Sequence, residues 1–130
     1  MKAACLSACS LMAGAALAQD LCDAEGCVGD MARACWADDV SQAGLCLGEE
    51  LGHWGQRYDA VRQALVEDGA EVEAVNESSR AFLTYRDVAC TDEDAALTGG
   101  SGSGEEWAEC MIDLTATQVL TLEQILAERQ

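Results

Sequence analysis

The chain has 130 residues, which is the size of one domain. It carries 24 acidic and seven basic side chains, for a formal net charge of −17. Nucleic acids and anionic membranes are bound by basic surfaces, so this balance argues against both as partners. Long-range attraction would draw in a cationic partner, but charge alone favours the simpler interpretation that acidity keeps an exported protein soluble.

The first 18 residues are typical of a secretory signal peptide. Lys2 supplies the positive start, an apolar run follows, and Ala16–Ala18 has the small-x-small pattern of a cleavage site. We therefore predict a periplasmic or secreted bacterial protein whose mature chain begins at Gln19. We expect no membrane span, because the apolar run is too short for one. An alternative is a lipoprotein box ending at Cys9, which would then carry lipid.

Cleavage would remove two of the eight cysteines, and an even number in a short exported chain predicts three disulfides. The remaining six are Cys22, Cys27, Cys35, Cys46, Cys90 and Cys110. The residues alone leave their pairing open. The alternative is a structural zinc site, but the chain has no Cys-x-x-Cys pair and only one histidine, His53. We therefore expect neither a metal nor a cofactor.

Residues 19–40 form a cysteine-rich N-terminal lead-in, in which residues 30–36 have the pattern for a turn or two of helix. Ser41 is predicted to cap the first long helix. Six apolar residues of this helix lie 4, 3, 4, 3 and 4 positions apart, the spacing of one helical stripe. They are Leu47, Leu51, Trp54, Tyr58, Val61 and Leu65. Glu49 and Glu50 are expected off the stripe. The interior glycines disfavour helix, so we expect close packing to sustain it.

Gly69 is predicted to end or bend this helix, and a second helix is expected over residues 71–89. Its apolar face is predicted to contain Val72, Val75, Phe82 and Ala89, with Tyr85 beside it. After an acidic and glycine-rich loop, Ser103 and Glu106 have capping-box spacing, and a third helix follows to about residue 128. It is predicted to bury Trp107, Met111, Leu114, Leu122 and Ile125.

The chain has no proline and almost no strand pattern. Its fold class is therefore predicted to be all-α: a small antiparallel three-helix bundle over residues 41–130, with the cysteine-rich lead-in and with disulfides that cross-link it. Few aromatic residues are available to fill the core, since the chain has three tryptophans, two tyrosines and one phenylalanine. Disulfides are therefore expected to supply part of the stability.

No constellation of residues supports catalysis, so an enzyme is not expected. The glycine run 99–104 is followed by Glu105, where a phosphate-binding loop needs lysine. Asp92 and Asp94 match only the start of a calcium-binding loop, and His53 has no nucleophile in its sequence context. The most unusual polar cluster is Tyr85-Arg86-Asp87, which is either functional or a structural ion pair that fixes helix packing.

The string SRAFLTYRDVAC, from Ser79 to Cys90, resembles a signature of the LprI-type lysozyme-inhibitor family. In that family an aromatic-Arg-Asp sequence precedes a cysteine, then come a glycine-rich loop, a second cysteine and a helix with a threonine. Here Cys110 and Thr115 stand in the last two places. The resemblance implies the disulfides Cys90–Cys110 and Cys35–Cys46, which leaves Cys22 with Cys27.

By this resemblance the protein is an exported binding protein, and an inhibitor of lysozyme-like peptidoglycan hydrolases is the leading hypothesis. A cationic hydrolase would be attracted to the acidic chain, at rates that fall with salt. The candidate partner-binding residues are Arg80, Tyr85, Arg86 and Asp87, with loop 98–104 as another candidate plug for a carboxylate-lined cleft. The alternative hypothesis is a structural or envelope-stress module that binds another exported protein.

Overall fold

The computed structural model describes residues 21–91 and 104–130. Its elements in chain order are β1 (Cys22–Asp23), β2 (Gly26–Cys27), α1 (Asp30–Trp36), a short 3-10 helix (Val40–Gln42), α2 (Ala43–Glu67), α3 (Val72–Ala89) and α4 (Glu105–Arg129). The predictions for the signal segment 1–18 and Cys9 lie outside the described residues. So do those for Asp92, Asp94 and Ser103, and for the glycine loop up to residue 103.

The prediction of a mostly helical, disulfide-linked chain is confirmed, but a bundle of three helices alone is wrong. The described residues contain four helices and a small two-stranded sheet. In the lead-in, Cys22 pairs with Cys27 and Asp23 with Gly26 in an antiparallel hairpin. These strands are too short to produce a periodic sequence pattern. Residues 30–36, expected to form a turn or two, form α1.

The apolar stripe of α2 is buried, with Leu51 half-buried at its edge. Ser41 does not cap this helix, because Asp39 caps the preceding 3-10 helix: its carboxylate accepts from the backbone N–H of Ser41 at 3.0 Å. Helix α2 is packed against the core through its apolar stripe, whereas two of its glycines lie on the open side of the helix. A Cβ atom built on Gly48 or Gly52 would meet nothing within 4 Å.

Gly69 follows the end of α2 with φ +102°, as predicted for a helix-ending glycine. The buried face of α3 differs from the prediction, because Val72 and Ala89 are exposed. This helix packs instead around Ser79, whose hydroxyl lies 3.0 Å from the hydroxyl of Tyr58 on α2. Phe82 lies beside the Tyr58 ring, with 5.4 Å between the ring centroids. A polar contact therefore stands at the centre of the α2–α3 interface.

The core side of α4 is made mainly of small and β-branched residues. Met111 is buried as predicted, whereas Ile125 is exposed, and Trp107, Leu114 and Leu122 are half-buried. The other buried positions are Ala108, Ile112, Thr115, Ala116 and Val119. Small side chains let two helix backbones approach closely, and α2 and α4 share the most extensive interface between described elements.

Contacts between side chains show how the long helices run. Arg57 near the middle of α2 contacts Glu123 of α4, and Asp68 just after α2 contacts Arg129 at the end of α4, so these two helices are parallel. Helix α3 runs antiparallel to α2, and so to α4, because Tyr58 contacts Ser79 whereas Arg62, further along α2, contacts Asn76, earlier on α3. Among the helices described here, none is long and apolar enough to cross a membrane.

Three disulfides cross-link these elements, and they join the pairs that the family resemblance implies. Cys22–Cys27 closes the hairpin, Cys35–Cys46 joins α1 to α2, and Cys90–Cys110 joins the end of α3 to the first turns of α4. The last bond spans 20 residues of sequence and bridges the segment between these two helices.

Candidate functional site

The four candidate partner-binding residues of α3 do not form one cluster. The side chain of Arg86 is only 18% exposed, and its Nη1 donates to Oγ1 of the fully buried Thr115 at 3.3 Å. Its guanidinium also contacts Asp87 at 3.2 Å and lies 6.0 Å from the ring of Phe82. Arg86 therefore joins α3 to α4, which is the structural alternative left open by the sequence.

The other three candidates lie on the exposed side of α3. Tyr85 is 61% exposed, and Asp87 and Arg80 are also exposed, with Arg80 3.9 Å from Glu73 at the limit of an ion pair. Val88, which the sequence analysis did not single out, is 71% exposed beside them. An exposed tyrosine and valine one helical turn apart form a small apolar surface that a partner could cover.

A second site lies where the hairpin, α1 and α2 meet, and Glu50 is its central residue. Glu50 is three residues after Leu47 and four before Trp54, so the helical period places it on the buried stripe, contrary to the prediction. It is 2% exposed. Its Oε1 accepts a hydrogen bond of 2.8 Å from the backbone N–H of Gly29, whereas its Oε2 has no hydrogen-bond partner among residues 21–91 and 104–130.

Arg57 organises the charges next to Glu50. Its guanidinium bonds Asp23 of β1 at 2.7 Å and Glu123 of α4 at 2.6 Å, and it lies 4.6 Å from the ring centroid of Trp54. The hydrogen bond from Arg57 lowers the pKa of the Asp23 carboxyl, and a second bond from the backbone N–H of Glu25 adds to this effect. The network fixes the hairpin against both α2 and α4.

A cavity of about 80 Å³ lies between these residues. Its lining consists of Asp23, Glu25, Gly26, Cys27, Asp30, Met31, Glu50, His53, Trp54 and Arg57. Trp54 is 4% exposed, and its indole N–H, like Oε2 of Glu50, has no hydrogen-bond partner in the described part of the chain. The lining thus holds four carboxylates and one arginine, with an unpaired acceptor and an unpaired donor on two deeply buried side chains.

Glu50 also borders a second cavity, of about 210 Å³, on its other side. That cavity is lined by Val28, Gly29, Arg33, Trp36, Leu47, Glu50, Glu109, Ile112 and Asp113. The two cavities contain different tryptophans, Trp54 in the first and Trp36 in the second. A spectroscopic signal from each indole would therefore distinguish the occupation of one cavity from that of the other.

The described lining of the two cavities contains neither a grouped set of metal ligands nor a serine, threonine or free thiol. In residues 21–91 and 104–130, no three or more His, Cys, Asp or Glu side chains are grouped so that they could hold a metal ion. His53 lies at the first cavity with its ring edge-on to Trp54, and no serine, threonine or free thiol lines that cavity. What the first cavity offers is hydrogen bonding and negative charge, which suit binding.

The arrangement of cysteines, α3 motif and threonine can be compared with known families. A family profile described as Lysozyme inhibitor LprI matches residues 22–122, from the hairpin to most of α4. The chain belongs to this family. The family is thus named for inhibition of an enzyme, not for catalysis. No curated protein and no solved structure shows a significant match to the chain.

The grouping of Glu50, Trp54 and Arg57 is not predicted from the sequence. The apolar stripe predicts Trp54 in the core, whereas the charge of Glu50 favours solvent. A weak signal for burial of Glu50 exists, since its spacing from Leu47 and Trp54 fits the stripe. No signal in the sequence predicts that Asp23 and Glu123 both bond Arg57, because these contacts join distant segments.

Proposed function

We propose that this protein is an exported inhibitor that binds lysozyme-like peptidoglycan hydrolases. The observation that carries the proposal is the match to the lysozyme-inhibitor family over residues 22–122, which include all three disulfides. Disulfides persist in oxidising compartments, which agrees with export directed by a signal peptide over residues 1–18. Binding, not catalysis, is the proposed activity.

Charge supports a cationic partner. At a formal net charge of −17, the chain would accelerate its encounter with a basic hydrolase, and the association rate would fall as salt rises. Because rim charges contribute more to rates than to affinity, specific inhibition also requires a contact that survives moderate salt. The proposed contact on α3 is the surface of Tyr85 and Val88, flanked by Asp87 and Arg80.

Inhibition of a glycosidase requires that its cleft, lined by two carboxylates, be blocked. Arg86 is held against Thr115, so it is a poor candidate for entering another protein. Arg80 is exposed and reaches only a distant carboxylate, which makes it the better basic candidate on α3. The other proposed plug is loop 98–104.

The test is lysis of a peptidoglycan suspension by several lysozymes, with and without the purified oxidised protein, at low and moderate salt. We expect stoichiometric inhibition of at least one enzyme that persists at moderate salt. Tyr85→Ala and Val88→Ala should weaken it, each by about tenfold. Val72→Ala is the matched control, because Val72 is exposed on the same helix away from this surface.

The lysis assay would contradict the proposal in two ways. If none of the lysozymes is inhibited, or if inhibition disappears with modest salt, the acidic charge acts only as a generic attraction. The alternative of a structural or envelope-stress module that binds another exported protein would then be preferred.

A further inference from the structure

The cavity beside Trp54 has an excess of negative charge. Asp23 and Glu25 share the cation of Arg57, and Asp30 is paired with Arg33 at 2.7 Å. Among the carboxylates that line this cavity, Glu50 has no ion pair, and its Oε2 has no hydrogen bond within the described residues. A buried carboxylate oxygen without a partner is costly, so a donor that reaches it would be bound favourably.

We propose that this cavity receives a lysine side chain of a protein partner, whose ammonium group donates to Oε2 of Glu50. The inference deepens the proposed function, on which it rests, by naming the chemistry that would hold a cationic hydrolase. The indole N–H of Trp54 provides the second polar contact, because it can donate to a carbonyl oxygen that the partner's backbone brings with the lysine.

The cavity selects a cation over other ligand classes. An anion would meet four carboxylates, and a metal ion would lack a set of three or more grouped ligands in the described chain. An apolar ligand would leave both buried polar atoms of Glu50 and Trp54 without partners. These exclusions follow from the lining itself and do not depend on the identity of the partner.

Lysine fits this cavity better than arginine does. A guanidinium group binds carboxylates best through two parallel hydrogen bonds, which need both carboxylate oxygens. Here Oε1 of Glu50 already accepts from the N–H of Gly29, so a guanidinium would have to share that oxygen, whereas Oε2 has no partner within the described residues. An ammonium is a compact point charge that a single oxygen satisfies. The volume of about 80 Å³ also suits the tip of one side chain.

The site is held in place before any partner arrives. The bond from Gly29 fixes the Glu50 carboxylate, the Cys22–Cys27 disulfide closes the hairpin, and Arg57 ties that hairpin to Glu123. Groups that are already ordered lose little entropy on binding, which favours affinity.

The experiment is a titration of the isotope-labelled oxidised protein with the peptide acetyl-Gly-Gly-Lys-Gly-Gly amide, in which the lysine ammonium is the only cation, followed by the indole N–H signals in NMR spectra. The three tryptophans report on separate places: Trp54 on this cavity, Trp36 on the neighbouring one, and Trp107 on the first turn of α4 beside the Cys90–Cys110 disulfide. Tryptophan-to-phenylalanine variants assign the signals. We expect a saturable shift of the Trp54 signal, with the Trp36 and Trp107 signals unchanged.

Two controls isolate the charge pair. Glu50→Gln should weaken binding of the peptide by about tenfold or more, because a charge-assisted hydrogen bond is lost. Glu49→Gln, the same change at the exposed neighbour, should leave the affinity unchanged. If Glu50→Gln fails to fold, the peptide acetylated on its lysine side chain tests the same point on the wild-type chain, and it should produce no shift.

Three outcomes of the peptide titration would overturn the inference. These are no saturable shift of Trp54, a shift of the Trp36 signal alone, or equal binding of the acetylated peptide. The proposed function is tested separately in the lysis assay. Lysozyme inhibition that is unaffected by Glu50→Gln would refute the lysine site while leaving the inhibitor proposal intact. A lysine-dependent shift of the Trp54 signal without inhibition of any lysozyme would support the lysine site and refute the inhibitor proposal.

Discussion

The backbone N–H of Gly29 donates a hydrogen bond of 2.8 Å to Oε1 of Glu50, 21 residues further along the chain. Gly29 has φ +90° and directly precedes α1, in a conformation that side-chain-bearing residues rarely adopt. The bond therefore joins the lead-in to the buried side of α2 at a place where both partners are constrained. The same carboxylate is the proposed acceptor for the lysine ammonium, so Glu50 is expected to contribute both to the stability of the fold and to binding.

Replacement of Glu50 tests the structural part of this relationship. Glu50→Ala should lower the free energy of unfolding by about 1–3 kcal/mol, because the amide of Gly29 loses its acceptor and a gap opens in the core. Chemical denaturation of the oxidised protein measures the change. Glu49→Ala, at an exposed position of the same helix, should stay within about 0.5 kcal/mol of wild type. Equal effects of the two variants would show that the bond contributes little.

The glycines on the exposed side of α2 can be replaced with a gain in stability. Gly48→Ala and Gly52→Ala should each raise the free energy of unfolding by up to about 1 kcal/mol, because alanine favours helix and its Cβ meets nothing within 4 Å. Thermal unfolding provides the measurement. Gly69→Ala is the control: the space around Gly69 is also open, but its φ of +102° should make alanine destabilising.

The Arg57 network predicts a pH dependence of stability. Its hydrogen bond keeps the pKa of folded Asp23 below the ordinary value of 3.8. For a lowered carboxyl pKa, the stabilisation is complete above the unfolded-state pKa and is lost as pH falls through the folded-state pKa. Arg57→Gln should therefore be less stable than wild type at neutral pH, with a difference that narrows below pH 3.8.

Urea unfolding of wild type and Arg57→Gln would measure this difference. The measurements should extend from about pH 2.5 to about pH 7, a range that includes the usual aspartate pKa. Arg129→Gln removes a cation from the other end of the bundle, where Arg129 contacts Asp68 at 3.0 Å, and it controls for loss of charge alone. A wild-type advantage over Arg57→Gln that stays constant down to the lowest pH would contradict the prediction.

Removal of the longest and the shortest disulfide loop should lower the free energy of unfolding by different amounts. Cys90–Cys110 spans 20 residues and Cys22–Cys27 spans five. The loop-entropy relation gives about 3 kcal/mol for the longer loop and about 2 kcal/mol for the shorter one. Paired Cys→Ser variants of each bond, compared by denaturant unfolding, measure the two costs. A larger loss of unfolding free energy on removal of Cys22–Cys27 would mean that the contacts of the hairpin with Arg57 contribute more than chain entropy does.

Much of the helical framework could be predicted from the sequence. The stripe from Leu47 to Leu65 fixed α2, since helical periodicity is a local property of the chain. The end at Gly69 followed from local backbone preference. The face of α3 was not predictable in the same way, because Val72 lies beyond the packed part of the bundle and the polar Ser79 is buried by its contact with Tyr58.

The sequence by itself determined that this is an acidic, helical chain of the LprI type with paired cysteines, because composition, period and motif are read along the chain. Only the tertiary structure decided that Arg86 is held against Thr115, and that Glu50 is buried beside Trp54 next to the Arg57 network. The physical reason is that burial and ion pairing depend on which distant segments meet. The helical position of Glu50 is compatible with burial, but nothing local to α2 indicates that the backbone of Gly29 will face its carboxylate.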